Sequence, residues 1–171
     1  MRRYNLNRRQ FLRHSAIGAT AGILSTSTFP FIASADQKSP NERLQFAAIG
    51  VGGRGTSIAN SARRLADIVA VCDLDTQRTD RVNKSLAQGK AKGYQDYRYI
   101  LDNKDIDFVT IGTTDHWHTR IAIQAMQAGK DVYCEKPLTL TIEEGKQICK
   151  VTKETGRVFQ VGTQQRTSER F

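Results

Sequence analysis

The sequence predicts an α/β fold built on a doubly wound parallel sheet, and three observations predict it. A short apolar run, Leu44 to Ile49, abuts the turn Gly50-x-Gly52-x-x-Gly55. A second apolar run, Asp67 to Asp73 (DIVAVCD), ends on an acid. From there to Val161, short apolar runs alternate with stretches of helical period.

In order, the first strand starts near Leu44, and the glycine turn opens a helix with Ile58, Ala62 and Leu65 at helical spacing. Arg63 and Arg64 lie near its end, where cations suit the helix dipole. The nearly unbroken apolar character of Asp67 to Asp73 suits a strand covered on both faces. Thr76 to Gln88 reads as a polar-faced helix, and a short third strand falls at Lys92 to Tyr94. Asp96 then caps a short helix through Asn103. Asp107 to Gly112 is the fourth strand, and Thr119 to Ala128 is a helix with Ile121, Ala122, Ala125 and Met126 on one face, stopped by Gly129. Asp131 to Cys134 is the fifth strand, Ile142 to Thr155 a helix closed by Gly156, and Val158 to Val161 the sixth strand.

Three glycines in six positions also occur in ordinary tight turns, so the setting must decide. Here strand, turn and helix follow in order. Asp73 lies eighteen positions beyond Gly55, about where a carboxylate accepts hydrogen bonds from an adenosine ribose. This is the arrangement of a Rossmann domain that holds a dinucleotide, with the pyrophosphate against bare N–H groups at a helix N-terminus. In such a sheet the chemistry sits beyond the carboxyl ends of strands. Three junctions there carry unusual residues: the glycine turn, Thr113-Thr114-Asp115-His116-Trp117-His118, and Glu135-Lys136-Pro137. All three are expected to face one cleft.

At 171 residues, length allows one compact domain, residues 44 to 171, behind an N-terminal module. The net charge of +9 falls to +4 without residues 1 to 35, which hold five arginines and no acid. The remaining cations are scattered among acids without aromatic interleaving, so no nucleic-acid partner is implied. Asn7-Arg8-Arg9-Gln10-Phe11-Leu12-Arg13 precedes 21 uncharged residues closing on Ala33-Ser34-Ala35, a pattern that resembles a twin-arginine export signal. Cleavage after Ala35 and a periplasmic or exported location follow. A retained anchor is the alternative, but the glycines, the hydroxyl residues from Ser25 to Thr28 and Pro30 make a poor bilayer helix, and no stable membrane span is expected. Residues 36 to 43 read as a polar linker. Cys72, Cys134 and Cys149, odd in number and without C-x-x-C spacing, read as buried thiols. His116 and His118 beside Asp115 lack a third convincing metal ligand, and no metal site is expected. Trp117 reads either as a wall of the cleft or as a packing tryptophan. Gln160, Gln164, Gln165 and Arg166 are polar candidates beyond the sixth strand, with a solvated loop as the other reading.

Glu135-Lys136-Pro137, together with the glycine turn, Asp73, the Asp115-His116-Trp117-His118 segment and Val161-Gly162-Thr163-Gln164, resembles the glucose–fructose oxidoreductase, inositol dehydrogenase and rhizopine catabolism (Gfo/Idh/MocA) family from about Leu44 to Arg170. The resemblance implies NAD(P)-dependent oxidation or reduction of sugars, cyclitols or their derivatives, by proteins that are often homo-oligomeric. It matches Gly50, Gly52 and Gly55 to the pyrophosphate turn, with backbone donors from Val51, Gly53 and Arg54, and Asp73 to the ribose acid. An acid there repels a 2′-phosphate, which favours NAD over NADP unless Arg78 turns towards the adenosine. Thr113, His118 and Gln164 fall on the cofactor side, and Glu135 matches the carboxylate near the nicotinamide ribose. Lys136 matches the lysine at the reacting hydroxyl, where a cation stabilises developing alkoxide charge. Thr114 stands where the family commonly has proline.

The family places its acid/base Asp and His in a second α/β half beyond this domain. The sequence is therefore expected to be the cofactor half of an exported oxidoreductase, a fragment or truncated product that binds NAD weakly without turnover. An NAD-dependent glycoside hydrolase of the same fold and a non-catalytic nucleotide-binding module are the alternatives.

Overall fold

The computed structural model describes residues 43–167. The export signal, its cleavage after Ala35 and most of the 36 to 43 linker lie outside the described residues. Six strands, β1 (Gln45–Ile49), β2 (Asp67–Cys72), β3 (Lys92–Tyr94), β4 (Phe108–Ile111), β5 (Asp131–Glu135) and β6 (Phe159–Gly162), form one sheet in the order β3-β2-β1-β4-β5-β6. Every pair is parallel. The direction of winding reverses between β1 and β4, so their carboxyl ends frame the crevice that such sheets use for ligands.

Five helices cross over the sheet: α1 (Gly53–Ala62), α2 (Thr76–Ala87), α3 (Arg98–Leu101), α4 (Asp115–Gln127) and α5 (Ile142–Thr155). The period of two along β1 divides the core. Phe46 and Ala48 join Ala59 of α1 and Val82 of α2 on one face. Ala47 and Ile49 join Ile121 and Ala125 of α4 and Ile148 of α5 on the other. The same rule on β5 commits Val132 and Cys134 to the α4 and α5 layer, which turns Tyr133 and Glu135 to the α1 face.

Helix boundaries follow local chemistry. Asp75 caps α2 by accepting from the Gln77 amide at 2.9 Å, and the helix ends at Ala87 because Gln88 turns left-handed at φ 55°. Asp96 accepts from the Arg98 amide at 3.0 Å, but α3 stops at Leu101, short of Asn103. Thr141 and Glu144 form a reciprocal capping box on α5, which Gly156 closes at φ +63°. The largest departure is α4, which begins at Asp115, four residues before the expected Thr119. Thr114 takes an extended conformation and its carbonyl accepts the Trp117 amide at 3.0 Å, so the histidine-rich segment is the first turn of the helix.

Candidate functional site

The glycine turn combines two kinds of glycine. Gly50 leaves β1 at φ +76°, and a Cβ there would lie 2.6 Å from the Thr113 amide nitrogen. A Cβ on Gly55 would collide with the Gly50 carbonyl, and one on Gly112 would lie 2.6 Å from the Gly55 Cα. These three let the first turn of α1 press against the ends of β1 and β4. Gly52 and Gly53 have no such reason to be bare. A Cβ on Gly52 would find only the Arg78 Nη1, at an ordinary 3.6 Å, and one on Gly53 would find nothing within 4 Å. Gly52 is the N-cap of α1, no side chain caps the helix, and its first turn holds no acid. The first-turn amides of Gly53, Arg54 and Gly55 thus form an uncapped donor set over open space, and that fits a diphosphate.

Asp73 follows β2 and is held at both oxygens: Oδ2 accepts from the Val51 amide at 2.9 Å and Oδ1 from the Asp75 amide at 3.0 Å. This corrects the expectation for Val51, whose residue is fully buried and whose N–H serves Asp73. The acid is thereby oriented before any ligand arrives. Arg78 pairs with Asp75 at 3.3 Å while half exposed, beside Gly52. Asp73, Gly50, Gly52, Thr113 and Trp117 line a cleft of about 640 Å³. Trp117, in edge contact with Tyr97 at 6.4 Å and with the Arg120 guanidinium 5.5 Å from its ring centre, is a wall of that cleft.

Tyr97 and Arg98, which also line the cleft, were not singled out by sequence. Their signal was available, since Gln95 to Arg98 directly follow the third strand at the same carboxyl edge. Asp96 and Arg98 share a bidentate contact, which lowers the carboxyl below its ordinary value by hydrogen bonding to the guanidinium.

The cleft gathers two of the three junctions. Glu135 and Lys136 do not line it. Two contacts tie the third junction to the others. His118, 1% exposed, is set behind the cleft, so it positions loops and does not offer its ring to a ligand. Helical side chains lean towards the N-terminus. From the fourth position of α4 its Nε2 therefore reaches the Thr113 carbonyl at 3.1 Å, while Nδ1 lies 2.7 Å from the Pro137 carbonyl. Both partners are acceptors, and a neutral imidazole donates to only one of them.

The second tie is Arg54, whose Nε lies 3.3 Å from Glu135 Oε2. Glu135 is 5% exposed, and neither of its carboxylate oxygens has a hydrogen-bond partner among the described residues. Gly162, opposite it on β6, leaves the room it occupies: a Cβ there would lie 2.6 Å from Oε2. Tyr133 donates to Gln164 Oε1 at 3.3 Å beside it, and burial, with the Glu135 charge second, pushes the phenol above its ordinary value. Lys136 itself is exposed, followed by a cis bond to Pro137.

Cys72 and Cys134 are buried, and burial pushes both thiols up to about 12, helped by Asp73 and Glu135 respectively. Cys149 is exposed on α5, against expectation, because it lies next to Ile148 and off the buried stripe. Among the described residues no group of three or more His, Cys, Asp or Glu could hold a metal, and no helix is long and apolar enough to cross a membrane.

Comparison with known proteins agrees with this geometry. A family model described as an oxidoreductase family with an NAD-binding Rossmann fold (GFO_IDH_MocA) matches residues 44–163. The chain is 33% identical over 172 residues to a glycosyl hydrolase family 109 protein of Shewanella pealeana, spanning 88% of this chain and 38% of that one. The structure of myo-inositol 2-dehydrogenase from Lactobacillus plantarum is 30% identical, with a TM-score of 0.68 over 75% of this chain and 38% of that one. A levoglucosan dehydrogenase, in complex with NADH and levoglucosan, is 31% identical with a TM-score of 0.63, over 70% of this chain and 35% of that one. The chain thus spans well under half the length of the relatives it matches.

Proposed function

Because the chain belongs to the Gfo/Idh/MocA oxidoreductase family and carries its NAD-binding Rossmann fold, we propose that it is the cofactor-binding part of an enzyme that oxidises or reduces a CH–OH group of a sugar, cyclitol or derivative. The observation that carries this reading is the pairing, at one sheet edge, of a pre-oriented ribose acid with an uncapped helix N-terminus. Gly52 to Gly55 would receive the pyrophosphate and Asp73 the adenosine ribose. Asp73, held at both oxygens, would put a negative charge beside a 2′-phosphate if it takes the adenosine ribose, which supports NAD.

NAD, when bound, accepts or returns a hydride at its nicotinamide. Lys136, exposed at the exit of β5, would hold the substrate hydroxyl and stabilise alkoxide charge as it develops. His118 would keep the Pro137 and Thr113 backbones in register, so that Lys136 and the cofactor side stay fixed relative to one another. Oxidation also needs a proton acceptor, which family resemblance assigns to a second half. We assign the protein to export by the twin-arginine route, on the Arg8-Arg9 motif and the small-residue close at Ala35.

A second reading has its own support. The glycosyl hydrolase family 109 relative is 33% identical to this chain, so NAD-assisted cleavage of a glycoside fits the same cofactor site. One experiment separates the two. The protein encoded by the complete reading frame is incubated with NAD and a panel of polyols, aldoses and aryl glycosides. NADH accumulation identifies a dehydrogenase, and sugar release without net NADH identifies the hydrolase. Tight NAD binding with neither product would sink both and leave a nucleotide-binding module.

A further inference from the structure

The Arg54 side chain has a place in the site that the glycine pattern does not assign. It is the second residue of α1, so its guanidinium grows from the same first turn whose amides face the open space over Gly52 and Gly53. Its one ion-pair partner among the described residues is Glu135, and that pair is unfinished. The 3.3 Å separation is longer than the roughly 2.7–2.9 Å of a charge-assisted hydrogen bond, and both carboxylate oxygens are buried without a hydrogen-bond donor. A buried carboxylate in that condition draws strongly on any cation or donor within reach. Arg54 meanwhile remains 45% exposed and offers five N–H groups in a fixed fork, of which this contact occupies one.

A diphosphate arriving at the α1 N-terminus would meet Glu135 as a buried like charge close by, unless a cation lies between them. Arg54 alone among the described residues is joined both to that first turn and to that carboxylate. We propose that Arg54 is a shared cation coupling the two ends of the dinucleotide site: it holds Glu135 when no ligand is present, and serves diphosphate and Glu135 together when one docks. This rests on the dinucleotide reading above. It adds that diphosphate binding and the readiness of Glu135 for the nicotinamide half are linked through one side chain.

The test measures binding of ADP, which carries the diphosphate without the nicotinamide half, and of NAD, by titration calorimetry on the purified protein at two salt concentrations. Arg54→Gln is expected to weaken ADP about tenfold and to flatten its salt dependence. Glu135→Gln is expected to tighten ADP several-fold, because it removes the buried like charge, while lowering the preference for NAD over ADP. The double variant Arg54→Gln/Glu135→Gln leaves no uncompensated buried charge and is expected to recover part of the ADP affinity lost with Arg54→Gln, which shows that loss to be electrostatic and not a failure to fold. Wild-type ADP affinity in Arg54→Gln, unchanged ADP affinity in Glu135→Gln, or no recovery in the double variant overturns the proposal. A wild-type protein that binds neither NAD nor ADP sinks the dinucleotide reading and the proposal with it, whereas wild-type binding with unresponsive variants sinks the proposal alone.

Discussion

The two ends of the site are built to different degrees. At the adenosine end, Asp73 has both oxygens bonded to amides, the Gly50 amide donates to Cys72 at 2.8 Å, and Gly50, Gly55 and Gly112 pack backbone against backbone. At the β5 exit, Glu135 is buried without a hydrogen-bond donor and Lys136 stands in solvent. The first end is finished by contacts within about sixty residues of chain, so the proposed cofactor would meet it already ordered. The second is less complete, with Arg54 3.3 Å from Glu135 Oε2 and no hydrogen-bond donor on that carboxylate, a condition that would suit the nicotinamide and substrate contacts proposed for it.

The largest expected effect breaks the finished end. Gly55→Ala pushes a methyl into the Gly50 carbonyl, and should cost about 3 kcal/mol or more of stability, read as a drop in the denaturation midpoint. Gly53→Ala, two residues away with nothing within 4 Å, should leave the midpoint unchanged or raise it by up to about 1 kcal/mol. Equal losses from the two would refute the division of the turn into packing and ligand glycines. Lys136→Met addresses the other end: it should lower kcat/KM of the complete protein about a hundredfold, with stability moving by less than about 0.5 kcal/mol. A matching fall in stability would make Lys136 structural.

Smaller effects sharpen the contrast. Asp73→Asn keeps an oxygen for the Val51 amide but loses the charge, and should weaken NAD by about 1–2 kcal/mol while narrowing the preference over NADP, measured by calorimetry. The buried thiols give a pH signature. Their folded values of about 12 lie above the ordinary thiol value, so their contribution is full below pH 9 and is lost as pH rises from there towards 12. Each should cost about 1.4 kcal/mol one unit above the ordinary value, and Cys134→Ala should flatten the alkaline fall in the denaturation midpoint relative to its own value at pH 7. The smallest effect is a labelling pattern: a thiol reagent should modify Cys149 alone in the native protein, and reaction at Cys72 without unfolding would show the β2 edge to be looser than its packing.

Much of this was legible in order along the chain. Apolar runs between helical stretches marked most strands; β3 at Lys92–Tyr94, only three residues and not apolar, and α5 at Ile142–Thr155 fall where the alternation of strand and helix put them. Asp96 marked the start of α3 because a cap acts within three residues. The start of α4 was not legible, because Asp115-His116-Trp117-His118 lacks an apolar period and only the extended Thr114 shows that the helix has begun. The single cleft was too simple a picture, since it treated all carboxyl-edge loops alike.

By itself, then, the sequence determined the sheet, the ligand class of its glycine turn and the position of Asp73 beyond the second strand, because these depend on local period, bare backbone and spacing within one βαβ unit; Lys136 was singled out only by family resemblance. Only the tertiary structure decided that Val51 orients Asp73, that His118 joins the Thr113 and Pro137 carbonyls, and that Arg54 faces Glu135. His118 and Thr113 are 5 positions apart, but the other pairs lie 19 to 81 apart, from His118 and Pro137 to Arg54 and Glu135, and no local signal records them. Which face of β5 meets α1 is set by the winding of the sheet, and that choice alone brings the buried carboxylate and the first-turn arginine together.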